Sequence, residues 1–154
     1  MKNIESVHLS EAALRPFASR YLHEGRKQEN WRIESADITG KRCNARVSML
    51  STFVSPTDRS GFHLTIFSTL EFLSELMIVY AHVWAGLKEK TREGWMVEST
   101  TRSVRVIRDP ECINVEMSVE SMRRRGDNLF CVADFRVTDR FDGLFEIRLK
   151  GFLS

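Results

Sequence analysis

The sequence has no surplus of either charge: 23 lysines and arginines stand against 21 aspartates and glutamates among 154 residues. A formal net charge of +2 leaves no electrostatic footprint for nucleic acid or an anionic membrane, and neither partner is expected. Cysteine is equally scarce. Cys43, Cys112 and Cys131 lie far apart, form no CxxC pair and have no histidine at metal-ligand spacing. A metal site is therefore not expected, and the odd count excludes a complete disulfide framework, which points to a reducing cytoplasm. The Met1–His8 stretch has no basic lead into an apolar run, so nothing there reads as a secretory leader. Internal repeats, linkers and low-complexity tracts are missing too, and a chain of this length can bury a core without staples, so one domain over 1–154 is expected.

What the chain does have is one long apolar run. From Ile66, the residues Phe67, Leu70, Phe72, Leu73, Leu76, Met77, Val79, Tyr80, Val83, Trp84 and Leu87 cover most of a helix circumference. This predicts a helix from Leu64 to about Lys88, buried on nearly all sides and wrapped by something else. Its length approaches the ~20 residues that span a bilayer, but Glu71, Glu75 and His82 interrupt it, and a charge at membrane depth costs roughly 2.5 kcal/mol or more. A buried helix of a soluble protein is the expectation, with no membrane span.

The flanking segments supply the wrapping. Ser10 precedes good helix formers, and Leu14, Phe17, Ala18, Tyr21 and Leu22 recur at helical spacing as far as Gly25, which predicts a short amphipathic helix. Trp31, Ile33, Ala36 and Ile38 read as an extended segment that turns at Thr39-Gly40 and returns through Ala45, Val47 and Met49. The turn formers between Ser55 and Gly61 make a loop into the central helix. Beyond that helix, Trp95–Ile107 and the alternation of Ile113, Val115, Met117 and Val119 with polar neighbours predict strands with one face on a core. Turn signals at Arg125–Asn128 and at Asp142-Gly143 add two more strands and suggest a four-stranded meander. The fold class is α+β: an antiparallel sheet of five to six strands around one long helix.

In so apolar a helix the polar exceptions are informative. Ser68, Glu71, Glu75 and His82 fall at intervals of three, four and seven, which places them along one stripe. Glu71 suits a general acid or base, because an apolar groove drives a carboxyl pKa toward neutrality. The plainer reading is a stripe facing solvent or a neighbouring subunit.

From about Trp31 to Leu153 the chain resembles a hot-dog domain, the fold of acyl-CoA thioesterases and 3-hydroxyacyl-carrier-protein dehydratases. Residues 112–137 are similar in rhythm to the last long hairpin of that fold. Gly61-Phe62-His63, followed by the helix carrying Glu71, resembles the start of its central helix, and the nearest likeness is to the FcoT-like long-chain acyl-CoA thioesterases. The resemblance implies a homodimer or dimer of dimers that joins sheet edges, with the acyl chain threading between subunits. It also implies acyl-CoA or an acyl carrier protein as partner and no cofactor beyond the coenzyme A or phosphopantetheine of the substrate.

On that basis His63 would reach a thioester carbonyl or hydroxyl, the first-turn amides would polarise the carbonyl, and Glu71 would activate water. Thr65 and Ser68 would border the substrate, with Thr65 also fit to cap the helix, and Phe62 and Phe67 would line the tunnel. The histidine and acid of the resembled dehydratases sit farther apart around a glycine-proline motif; here the spacing is eight and that motif is missing. Thioester hydrolysis in lipid or secondary metabolism is therefore the leading expectation. A 3-hydroxyacyl-thioester dehydratase or related lyase is the second, and a non-catalytic acyl-binding module the third. Arg123-Arg124-Arg125 could hold coenzyme A phosphates, although a solvated hairpin tip is the plainer reading. Arg102, Arg105 and Arg108, expected on the preceding strand, carry the same two readings.

Overall fold

A computed structural model describes residues 22–23, 26–27, 29–54 and 57–154. The expected amphipathic helix lies outside the described residues as far as Tyr21. It does not include Leu22: Leu22–His23 (β1) pairs antiparallel with Arg26–Lys27 (β2) in a ladder of its own. The main sheet is built from Asn30–Thr39 (β3), Arg42–Ser51 (β4), Gly94–Arg105 (β5), Ile113–Arg125 (β6), Asn128–Thr138 (β7) and Leu144–Leu153 (β8), with the helix Ile66–Trp84 (α1) between β4 and β5. Among the described residues six antiparallel strands curl around one helix, which is the hot-dog architecture expected.

The order across the sheet is β3-β4-β6-β7-β8-β5. Only β6, β7 and β8 form a meander. The expected four-stranded meander is corrected: β5 pairs with β8 at the far edge, and β6 pairs with β4 instead. The physical reason is visible in burial. Cys43, Ala45 and Val47 of β4 alternate inward in the same way as Ile113, Val115, Met117 and Val119 of β6, so pairing these strands sums two half-buried faces into one core wall. Strand β5 has no such face and is exposed over nearly all its length, as suits an edge.

The helix is shorter than expected at both ends. Leu64 gives its N–H to the Ile107 carbonyl at 2.8 Å, which holds it in an extended segment, and Thr65 caps the helix by accepting the Ser68 N–H at 3.2 Å. At the other end Gly86 adopts φ +75°. Its N–H meets the Val83 carbonyl and that of Leu87 meets the His82 carbonyl, a closing pair that only a left-handed residue permits.

Nor is α1 buried on all sides. Phe72, Leu73 and Leu76 lie deep in the sheet, whereas Phe67, Glu71, Glu75, Val79 and Val83 follow one another at steps of four along an exposed line, with Trp84 exposed beside its end. The helix passes a length and composition test for crossing a membrane, yet half of its most apolar window is buried in the fold.

Candidate functional site

The expected polar stripe divides into three groups. His82 is buried at the C-terminal end, with Nδ1–H donating to the Ile78 carbonyl at 2.7 Å and Nε2 accepting from the Thr91 N–H at 3.3 Å. Nδ1 fixes the ring to the helix's own preceding turn, and Nε2 ties that turn to the segment leading into β5, a structural use. Glu75 lies on the exposed line. Ser68 is buried, while Glu71 is exposed one turn farther along. The four residues share an arc of the backbone but not an environment, because neighbouring segments cover the two ends of that arc.

At the helix start Glu29 supplies the cover. Its side chain is 1 % exposed, and its Oε2 accepts from the Ser68 hydroxyl at 2.7 Å and the Thr65 hydroxyl at 3.1 Å. A buried carboxylate here faces the N–H end of the helix, where negative charge is favourable. Thr65 and Ser68 thus hold the helix end to the chain before β3.

Two residues farther on, the Trp31 indole N–H donates to Glu71 Oε2 at 2.7 Å. The Trp31 ring is fixed edge-on against Phe72, with centroids 5.9 Å apart.

His63 belongs to a third cluster. Its Nδ1 lies 2.7 Å from Asp58 Oδ2, and the ring remains partly open to solvent. The Ser60 amide, then the His63 ring and the Arg108 charge, hold the Asp58 carboxyl below its usual range against the effect of partial burial. With Nδ1–H given to Asp58, Nε2 accepts a proton in the neutral ring and donates one in the imidazolium. Arg108 lies beyond the end of β5, which corrects its expected place on that strand. Its guanidinium donates to the Ser60 and Phe62 carbonyls at 3.2 and 3.4 Å and closes the loop around His63. Phe62 packs half-buried against the core, and Phe67 is 54 % exposed on the outer line. The structure therefore gives His63 and Glu71 separate partners: Asp58 for one, Trp31 for the other.

An apolar cleft of about 410 Å3, open mouth included, runs between the second half of α1 and the β8–β5 edge, bounded by Met77, Ile78, Trp95, Met96 and Leu149. A Cβ on Gly151 at its floor would come within 2.8 Å of the Trp95 carbonyl oxygen, so the close approach of β8 and β5 needs glycine there. Cys131, also on the cleft wall, has its thiol pushed up to about 11 by burial and is not a ready nucleophile at neutral pH. On the outer face, Arg102 approaches Glu146 at 3.8 Å, and Arg105 holds the Asp142 turn. Arg123, Arg124 and Arg125 are exposed at the end of β6, with Arg125 over the Phe130 ring.

Asp58, Glu29, Trp31 and Arg108 are partners that sequence reasoning missed. Asp58 sits among turn formers and Glu29 precedes a strand, so no periodicity marks them, and the alternation that marks Trp31 and the charge that marks Arg108 do not say what either would bond.

No family model matches the sequence, and no curated protein matches it either. Solved structures do. A hypothetical thioesterase from Streptococcus pneumoniae TIGR4, solved with coenzyme A, superposes with a TM-score of 0.51 at 12% identity over 81% of this chain and 86% of its own. A Streptococcus mutans UA159 protein bound to acetyl CoA gives 0.52 at 12% identity, covering 88% of this chain and 97% of the other. A mutant thioesterase from Pseudomonas aeruginosa gives 0.54 at 14% identity over 80% of each chain. At such identities the likeness is one of fold, and that fold is the hot-dog.

Proposed function

We propose that this protein hydrolyses acyl thioesters, with coenzyme A as the carrier. The observation that carries the reading is the Asp58–His63 pair, 2.7 Å apart, placed two residues before the cap of a long apolar helix. The His63 ring held by Asp58, together with the first-turn N–H groups that Thr65 does not take, forms a cluster suited to a carbonyl oxygen that gains negative charge. Glu71 takes a proton from water as the water oxygen bonds to the carbonyl carbon. Collapse of the tetrahedral intermediate breaks the C–S bond, and the departing thiolate takes up a proton. Coenzyme A is preferred over a carrier protein because the pneumococcal and S. mutans proteins of like fold hold coenzyme A and acetyl CoA. The resemblance to the FcoT-like group suggests a long acyl chain, part of which the apolar cleft would accept.

The functional unit in this reading is a homodimer. Edge strand β5 leaves Trp95, Met96 and Val97 exposed beside the cleft, and pairing two such edges covers them. Phe62 and Phe67 then flank the acyl path, while Thr65 and Ser68, tied to Glu29, hold the helix start behind its thioester end. The protein works in the cytoplasm, where acyl-CoA is made and used.

A Glu71→Ala variant tests this with a panel of acyl-CoAs, read by release of free thiol. Hydrolysis by the wild type that is lost in the variant supports the proposal. Water elimination from 3-hydroxyacyl-CoA that depends on Glu71 would replace it with a dehydratase, and acyl-CoA binding without any turnover would replace it with a binding module.

A further inference from the structure

Two residues at the start of β3, Glu29 just before it and Trp31 second within it, grip the start of α1. Glu29 binds at helix positions 65 and 68, and Trp31 binds at position 71. The strand is deformed at this point. Between Asn30 and Trp31 the β3–β4 register skips Leu50, which is 59 % exposed, and between Ile33 and Ser35 it skips Glu34. Bulges of this kind turn a strand and re-aim its side chains. Here they bracket Trp31, whose ring packs on the buried Phe72 while its N–H reaches out to Glu71.

A glutamate on the exposed side of a helix ordinarily samples several rotamers, and one hydrogen bond at such a place adds little to stability. What the indole supplies is position. Its ring has two rotatable bonds, both set by packing against Phe72, so its N–H is a fixed point to which the carboxylate is tied. We propose that Trp31 is a positioning residue for hydrolysis, holding the Glu71 carboxylate in one rotamer where it takes the proton from the attacking water. This rests on the reading of Glu71 as the general base.

The test is a Trp31→Phe variant, which keeps an aromatic ring against Phe72 and deletes the N–H, alongside Glu71→Ala and the double variant. Thermal unfolding and steady-state hydrolysis of the best acyl-CoA from the panel are measured for all. Trp31→Phe is expected to lower kcat about tenfold with KM little changed, since small misplacement of a reacting group is expensive in rate. The double variant is expected to be no slower than Glu71→Ala alone. In 15N-tryptophan-labelled protein, the Trp31 indole resonance is expected to move on Glu71→Ala. Full hydrolysis by Glu71→Ala overturns the general-base reading itself. A dead Glu71→Ala together with an unimpaired Trp31→Phe, an indole resonance that does not move, or losses that simply multiply in the double variant overturn the positioning role and leave that reading intact.

Discussion

His63 and Asp58 are joined at 2.7 Å through Nδ1 and Oδ2, so the orientation of the imidazole is decided by a loop carboxylate five residues upstream. Deleting that carboxylate frees the ring without touching the helix. Asp58→Ala is expected to lower kcat for acyl-CoA hydrolysis on the order of tenfold, and His63→Ala on the order of a hundredfold, the usual scale for losing one donor to a developing oxyanion. Steady-state kinetics decide this. A wild-type kcat in Asp58→Ala would show that the pair only shapes the loop.

Glu29 is expected to matter to stability more than its small contact list suggests. Glu29→Ala strands the Ser68 and Thr65 hydroxyls, which its carboxylate now accepts, and such a loss costs about 1–3 kcal/mol. Glu29→Gln keeps an acceptor oxygen in the same place and is expected to lose less. Urea unfolding of the two variants checks the order, and equal losses would count against hydrogen bonding as the cause.

The Asp109 and Asp139 turns, joined through Arg108 to the loop that carries His63, shape the response to acid. Arg140 holds the Asp109 carboxyl well below its usual range, helped by the Glu111 and Cys112 amides. Burial alone would raise Asp139, but the amides of Arg108, Asp109, Phe141 and Gly143 outweigh it and lower that carboxyl too. A depressed folded-state pKa stabilises the fold above the unfolded value of about 3.9 and is lost as pH falls through the folded value. The urea midpoint is therefore expected to be flat near neutrality and to drop below about pH 4. Asp139→Asn should lower the midpoint at pH 7 and shrink the further drop in acid. An unchanged acid limb would place the sensitivity elsewhere.

Much of this architecture was open to reading because it is local. Alternation in β6, β7 and β8 and the turn residues between them depend on neighbours within a few positions, and they gave two hairpins close to their observed limits. The Thr39-Gly40 turn did the same for β3 and β4. Even the bulge in β3 has a trace, since the inward residues Trp31 and Ile33 are followed by Ala36 and Ile38, a step of three in a period of two. The apolar run of α1 announced its helix and Thr65 was legible as its cap, but the end before Gly86 was not, since the helix was expected to run on to about Lys88.

The tertiary structure decided what lies far apart in the chain. That β6 chooses β4 and β5 takes the far edge depends on which buried faces sum to one wall, a comparison across some seventy residues that no window contains. The same holds for the site. His63 and Glu71 were visible as polar residues around an apolar helix, but Asp58, Glu29 and Trp31 gained roles only when the loop and the strand were brought against that helix. Hydrogen bonds of 2.7 Å are made between folded surfaces, and periodicity along a helix says which residues share a face, not which of them another segment will cover.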